Sequence, residues 1–228
     1  MLKNLQYLAR IIFGSTIFTS NIFKYHHYLK MTLLRKDAEI CIEGFPRSGN
    51  SFFTVYFWWF NSIHPIGHHL HVIAQIKRAV KYKIPCIILY RHPLDAVASL
   101  LVMDRRLSLT VAIHSYIQFN KYVVKEKKNV VTAEFRKTIS APDSVLKEVN
   151  EKFGSTFDCG YFSPELSEQI QERIRNSTAV LYTPQTLTVP NKYKTEEKKK
   201  LYASIENHSS YKKAVAVYET LLSLDRAD

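Results

Sequence analysis

The chain passes from AEICIE (Ala38–Glu43) through GFPRSGNS (Gly44–Ser51) into the aromatic run FFTVYFWWF (Phe52–Phe60). The first segment is short, apolar and β-leaning, and Ser51–Phe60 carries a helical pattern. Between them Gly44 and Gly49 allow a tight turn, so the order is strand, glycine-bearing loop, helix. Gly44–Ser51 fits GxxxxGx[ST], a loop whose backbone N–H groups and following helix N-terminus point at a phosphate. The lysine that normally follows the second glycine and reaches the outer phosphates of ATP or GTP is here Asn50. The cation of the loop is Arg47 instead, which argues against an ordinary NTPase. The plain alternative is a glycine turn that only packs helix on strand.

Working outward, Pro85–Tyr90 (PCIILY) reads as a buried strand that stops at Arg91-His92-Pro93. Pro93 suits the first position of a helix over Leu94–Met103. No carboxylate ends this strand to hold magnesium, because Tyr90 is followed by Arg91. Arg91 stands at the edge where parallel α/β sheets bind ligands, and its planar fork suits phosphate. Ser99, about two turns into the following helix, is placed to share that anion. Asp95 falls in the first helical turn, where a carboxylate favours the dipole, so its reading is structural. For Arg91 the alternative is a salt bridge buttressing the sheet edge. A basic amphipathic helix ends at Lys77–Lys83, a helix spans Leu109–Val124, and a third strand spans Asn129–Phe135. Ser144–Phe153 makes another helix, closed by Gly154. Further helices are expected near Glu165–Arg175, Thr195–Ser204 and Tyr211–Leu224. Strands alternating with helices imply a parallel sheet covered on both faces.

Length and composition agree with a globular domain: 228 residues, 46% apolar and 23% charged. The balance of 32 Lys plus Arg against 20 Asp plus Glu leaves +12, which favours an anionic partner. Lys125–Lys128 and Lys192–Lys200 read as solvated faces. Cys41, Cys86 and Cys159 form no CxxC and no disulfide framework, and the first two sit in apolar runs as small hydrophobes. Residues 1–36 form an N-terminal helical segment ahead of one α/β domain over 37–228 with a helical C-terminal part. Leu5–Phe23 is too polar for a confident span and lacks a cleavage site. An amphipathic helix remains, packed on the domain or lying on a membrane, flanked by Lys24, Lys30, Arg35 and Lys36. The expected location is cytoplasmic, with membrane-peripheral contact as the alternative.

Together the two strand-edge sites resemble the sulfotransferase family. EGFPRSGNSFF is similar to its 5′-phosphosulfate loop (PKSGTTW or PRSGT). ILYRHPLDAVASLL is similar to its 3′-phosphate motif, RxPxDxxxS, through Arg91, Pro93, Asp95 and Ser99. The resemblance spans roughly Ile40 to Phe157, and is nearest to the short bacterial sulfotransferase-like proteins, with their HHxH segment and a turn like VNEKFGSTF. It implies a three-layer P-loop NTPase-like fold with a central parallel sheet flanked by helices. It also implies 3′-phosphoadenosine-5′-phosphosulfate (PAPS) as donor, and no metal. Arg47 would stand at the bridging oxygen and 5′-phosphate. The amides of Ser48, Gly49, Asn50 and Ser51, with the Ser51 hydroxyl, would hold the rest. Arg91 and Ser99 would grip the 3′-phosphate. The other partner would be a small-molecule or glycan acceptor, presenting a hydroxyl or amine, and not nucleic acid.

Many family members place a catalytic histidine between these motifs, where this chain has Gly67-His68-His69-Leu70-His71. If this segment is extended, His69 and His71 face one way and His68 the other. His69 lies 91 − 69 = 22 residues before Arg91, the separation expected of the family's base, with His71 as the alternative. A zinc site is the rival reading of the cluster, without a Cys or acidic partner to support it. The family's RKGxxGDW segment is absent, and the basic stretch Asn191-Lys192-Tyr193-Lys194 is the candidate substitute. Phe135 is the candidate adenine-stacking ring, with a core position as its plainer reading, and Trp58 and Trp59 read as core. The rival functions are a degenerate P-loop kinase or NTPase, and an inactive nucleotide-binding module on the same fold.

Overall fold

A computed structural model of the protein describes residues 2–26, 32–62, 64–179 and 192–227. Four parallel strands form one sheet: β1 (Ile40–Gly44), β2 (Ile66–His68), β3 (Cys86–Tyr90) and β4 (Val131–Glu134), ordered β2-β1-β3-β4. The register sets Cys41 opposite Cys86, Gly44 opposite Leu89 and Tyr90 opposite Glu134. β1 and β3 are buried along their whole length, which is why their sequences are continuous apolar runs.

Alternation along those strands divides the core into two layers. Ile40, Ile42, Ile87, Leu89, Val131 and Ala133 pack one face against Phe53 and Phe57 of α2 (Asn50–Phe60) and Val145, Leu146 and Val149 of α7 (Pro142–Phe153). Cys41, Cys86, Ile88 and Tyr90 face the other way. There they meet α3 (Ile73–Tyr82), α4 (Pro93–Met103) and α5 (Leu109–Glu126), through Ile76, Val97, Leu100, Ile113 and Tyr116. Helix, sheet and helix make three layers, as expected of an α/β fold of this type. Pro93 takes the first helical turn of α4, and Gly154 ends α7 at φ 64°.

Three local differences from the sequence expectation have physical causes. The third expected strand stops at Glu134, whose carboxylate accepts from the Arg136 amide and starts α6 (Phe135–Ser140). β2 is only three residues long, too short to show a periodicity. The basic runs are not uniformly solvated: Lys127 pairs with Asp225 at 3.4 Å, Lys198 with Asp95 at 3.3 Å, and Lys194 is buried. The last two belong to α9 (Lys192–Glu206), which packs on α4; α8 (Pro164–Ala179) and α10 (Tyr211–Ala227) complete the helices.

The N-terminal segment folds as α1 (Leu2–Phe13) and a 3₁₀ helix over Thr19–Tyr25. Its polar groups hold it to the domain. The Gly14 carbonyl accepts from Ala74 N at 2.7 Å, and Lys77 Nζ donates to the Ser15 carbonyl at 2.7 Å. Among the described residues no helix is long and apolar enough to cross a membrane. Cys41 and Cys86 are free thiols inside the sheet, and Cys159 is a half-buried one.

Candidate functional site

The loop after β1 is shaped by what its glycines make possible. At Gly44 a Cβ would stand 2.2 Å from the Leu89 carbonyl oxygen of β3, so only glycine lets the two strands meet here. Gly49 caps α2 at φ 96°, in the left-handed region. The first-turn amides of α2 have no acceptor within the helix and open onto the loop. Ser48 Oγ is buried there with no hydrogen-bond partner. Asn50 turns inward: its Nδ2 donates to the Phe45 carbonyl at 3.1 Å and braces the loop.

Arg47 is held left-handed at φ 71°, an unusual state for a non-glycine residue. Its Nε donates to Ser99 Oγ at 2.9 Å, so α4 positions the loop cation. Arg91 follows β3 and lies beside it, with NH1 donating to the Arg47 carbonyl at 3.3 Å. The Arg91 guanidinium stacks over the Phe135 ring at 4.0 Å. Phe135 is therefore only half-buried and lines the site, not the core. Asp95 accepts from Tyr202 Oη at 2.9 Å and lies 3.5 Å from Arg91 NH2. Burial raises the Asp95 pKa, but Arg91, Tyr202 and Lys198 outweigh it and hold the carboxylate below its ordinary value. Arg91 Nε is buried without a partner.

A third cation joins them. Burial, and then the charge of Arg47, push the Lys194 ammonium down to about 8. Burial, and then Arg91, push Arg47 down to about 10. Three cations from the loop, the end of β3 and α9 thus crowd one region, with Asp95 as the carboxylate at Arg91. Lys194 belongs to the basic stretch singled out above; Asn191 lies outside the described residues.

The histidine segment is not extended. β2 ends at His68, and His69 and His71 both take φ 54°. The coil gathers all three rings: His68 Nδ1 lies 2.7 Å from His69 Nδ1, and the His69 and His71 centroids are 5.7 Å apart. The alternation expected of a strand is therefore replaced by a cluster. His69 Nε2 lies 3.1 Å from Ser51 Oγ, at the start of α2. His71 Nδ1 instead donates to the Gly44 carbonyl at 2.7 Å. Burial lowers all three, His68 to about 4, His71 to about 3, and His69 well below its ordinary value with help from its neighbours' charges. At neutral pH the rings are uncharged, the form that accepts a proton. Trp58 packs against the core layer under α2, as expected, and edge-on to His68 at 5.2 Å, whereas Trp59 is 38% exposed beside Arg173 and is not core.

Glu43 was not a site residue on sequence grounds, yet it holds this turn together. It is fully buried, and its carboxylate accepts from Leu70 N at 2.7 Å and His71 N at 2.9 Å. Gln75 and Arg10 complete the surroundings, Arg10 donating to the His69 carbonyl at 3.2 Å. The available signal was an acid inside an otherwise apolar strand, directly before Gly44. Among the described residues, no group of three or more His, Cys, Asp or Glu side chains is arranged to hold a metal ion.

No protein-family model matches the chain, and no curated protein matches its sequence. Among solved structures the chain is similar to mouse sulfotransferase SULT7A1 complexed with PAP. The likeness covers 80% of this chain and 89% of that one, at 10% identity and a TM-score of 0.44.

Proposed function

We propose that the protein is a sulfotransferase that moves a sulfuryl group from PAPS to an acceptor hydroxyl or amine. The observation that carries this reading is the convergence of Arg47, Arg91 and the open N-terminus of α2. Two buried polar atoms, Ser48 Oγ and Arg91 Nε, are left there without protein partners. Buried donors without acceptors are costly, and a polyanion with phosphates at two positions supplies the acceptors. These residues fit such a donor: the Ser48–Ser51 amides, Ser51 Oγ and Arg47 at the 5′ end, and Arg91, with Ser99 nearby, at the 3′-phosphate. Asn50, committed to the Phe45 carbonyl, does not replace the lysine of an NTPase loop.

PAPS supplies the electrophilic sulfur. The new bond joins acceptor oxygen or nitrogen to sulfur, the bond from sulfur to the 5′-phosphate oxygen breaks, and the acceptor's proton goes to a neutral imidazole. His69 is the favoured base, because its Nε2 reaches the start of α2, whereas His71 is tied to the Gly44 carbonyl. Arg47 faces the charge that develops on the departing phosphate, a role that works by preorganisation.

Thermal shift with adenosine 3′,5′-bisphosphate and with Mg-ATP tests the reading, on wild type and Arg91→Ala. The bisphosphate is expected to stabilise the wild type alone, and Mg-ATP to shift neither. No shift with the bisphosphate removes the proposal; a shift without any transfer of labelled sulfate leaves only a binding module. Once an acceptor is found, His69→Ala is expected to lower kcat by at least about 100-fold, the low end of general-base contributions.

A further inference from the structure

The N-terminal segment turns Tyr7, Phe23 and several hydrogen-bonding groups to the protein, yet leaves a row of large apolar side chains in solvent. Of the large apolar side chains exposed among the described residues, all but Trp59, Tyr161 and Tyr193 fall between Leu5 and Tyr25. Leu5, Leu8 and Ile12 recur at helical spacing on one side of α1, and Phe13, Phe18 and Ile22 extend the row, Ile12 at 63% and Phe18 at 85% exposure. The inner side carries Asn4, which accepts from Ser108 N, and Arg10, bonded to the histidine turn. Arg78, itself buried, ties the 3₁₀ helix down through Ser20 Oγ at 3.0 Å and Asn21 Oδ1 at 2.8 Å. These fixed contacts orient the apolar row outward, where water makes it unfavourable.

Charge indicates what covers it. Residues 1–36 hold Lys3, Arg10, Lys24, Lys30, Arg35 and Lys36, and no Asp or Glu. Lys24, between Ile22 and Tyr25, shares a cleft with Arg35, Lys36, Arg78 and Tyr82. Lys24, Arg35 and Lys36 are exposed; Arg35 is paired with Asp37 at 2.6 Å, so Lys24 and Lys36 are the cations that leave the cleft beside the apolar row basic. Apolar side chains rimmed by cations match a bilayer surface carrying anionic headgroups, and among the described residues no helix is long and apolar enough to cross it.

We propose that this face docks the protein on an anionic membrane, with Ile12, Phe13, Phe18 and Ile22 entering the acyl boundary and Lys24 and Lys36 meeting lipid phosphates. The proposal goes beyond the sulfotransferase reading and does not depend on it. Flotation of the full chain with vesicles tests it, without nucleotide, so its outcome is separate from any donor-binding result. Phosphatidylcholine vesicles containing phosphatidylserine are expected to bind the wild type about tenfold or more tightly than phosphatidylcholine alone, with added salt reversing the difference. Ile12→Ser, Phe18→Ser and Ile22→Ser combined are expected to reduce binding by about tenfold or more with the chain still folded and only a small fall in Tm, because all three side chains are at least half exposed. Lys24→Glu with Lys36→Glu is expected to abolish the preference for phosphatidylserine. Failure of the wild type to float, or flotation of the triple variant at wild-type level, overturns the proposal. So does a wild-type dimer in sedimentation velocity that the triple variant converts to monomer, since a second copy would then cover the face.

Discussion

Arg47 Nε donates to Ser99 Oγ at 2.9 Å, so the loop after β1 and the helix after β3 share one hydrogen bond across the sheet edge. The serine that sequence grouped with Arg91 therefore also sets the direction of the loop cation. Donor affinity should depend on Ser99 through Arg47 as well as through any contact of its own.

A hydrogen bond to a charged group contributes about 1.5–3 kcal/mol, so Ser99→Ala is expected to weaken bisphosphate binding about tenfold or more. Arg47→Ala should weaken it further. If Ser99 acts through Arg47, the double variant binds no worse than Arg47→Ala. Titration calorimetry on the four proteins gives the coupling directly, and additive losses would show that Ser99 acts alone.

Glu43 satisfies two buried backbone amides at once, those of Leu70 and His71. Glu43→Ala leaves both unpaired and is expected to cost about 3 kcal/mol in urea denaturation. Glu43→Gln keeps one acceptor oxygen and should cost about half as much. Negligible losses in both variants would mean that the turn is held by Gln75 and Arg10 instead.

Acid should unfold this protein through its histidines. His68, His69 and His71 have folded pKa values below the ordinary 6.5, so the unfolded state takes up protons first as pH falls. Their stabilising contribution is complete above about 6.5 and declines toward about 4 for His68. Glu43 runs the other way: burial raises it to about 7, so its contribution falls as pH rises from about 4.5 through 7. Urea midpoints at pH 7 and pH 5 are expected to drop less in His68→Gln than in wild type, and to drop more in Glu43→Gln.

The two loop glycines should fail differently. At Gly44 a methyl group meets backbone of the neighbouring strand at 2.2 Å, so Gly44→Ala is expected to abolish soluble folding. At Gly49 the nearest atoms are Thr138 Cγ2 at 3.3 Å and Phe135 Cδ2 at 3.4 Å. Gly49→Ala should fold with a loss of about 1–2 kcal/mol from left-handed strain, and denaturation midpoints distinguish the two.

Sequence revealed what local chemistry dictates. β1, β3, the loop between Gly44 and Gly49, and Pro93 opening α4 are each specified within a few residues, by apolar continuity, glycine or proline. The sequence does not reveal that the histidine turn is compact rather than extended, because its shape comes from Glu43, far away in sequence and drawn close only once β1 and β2 pair. Lys194 was visible as one lysine in a basic run, but nothing local distinguishes it from its exposed neighbours. Its burial follows from α9 packing on α4, a long-range contact. Phe135 misled for the related reason that a half-buried ring and a core ring look alike in sequence; Arg91 above it makes the difference.

Arg47, His69 and His71 all sit at left-handed φ without being glycine. The backbone alone would accept glycine at each position with relief of about 1–2 kcal/mol per residue. Directed evolution for heat resistance, screened without donor or acceptor, should therefore drift toward glycine here. Positions that drift first would be those where backbone relief exceeds the loss of side-chain contacts such as Arg47 with Ser99 or His71 with Gly44.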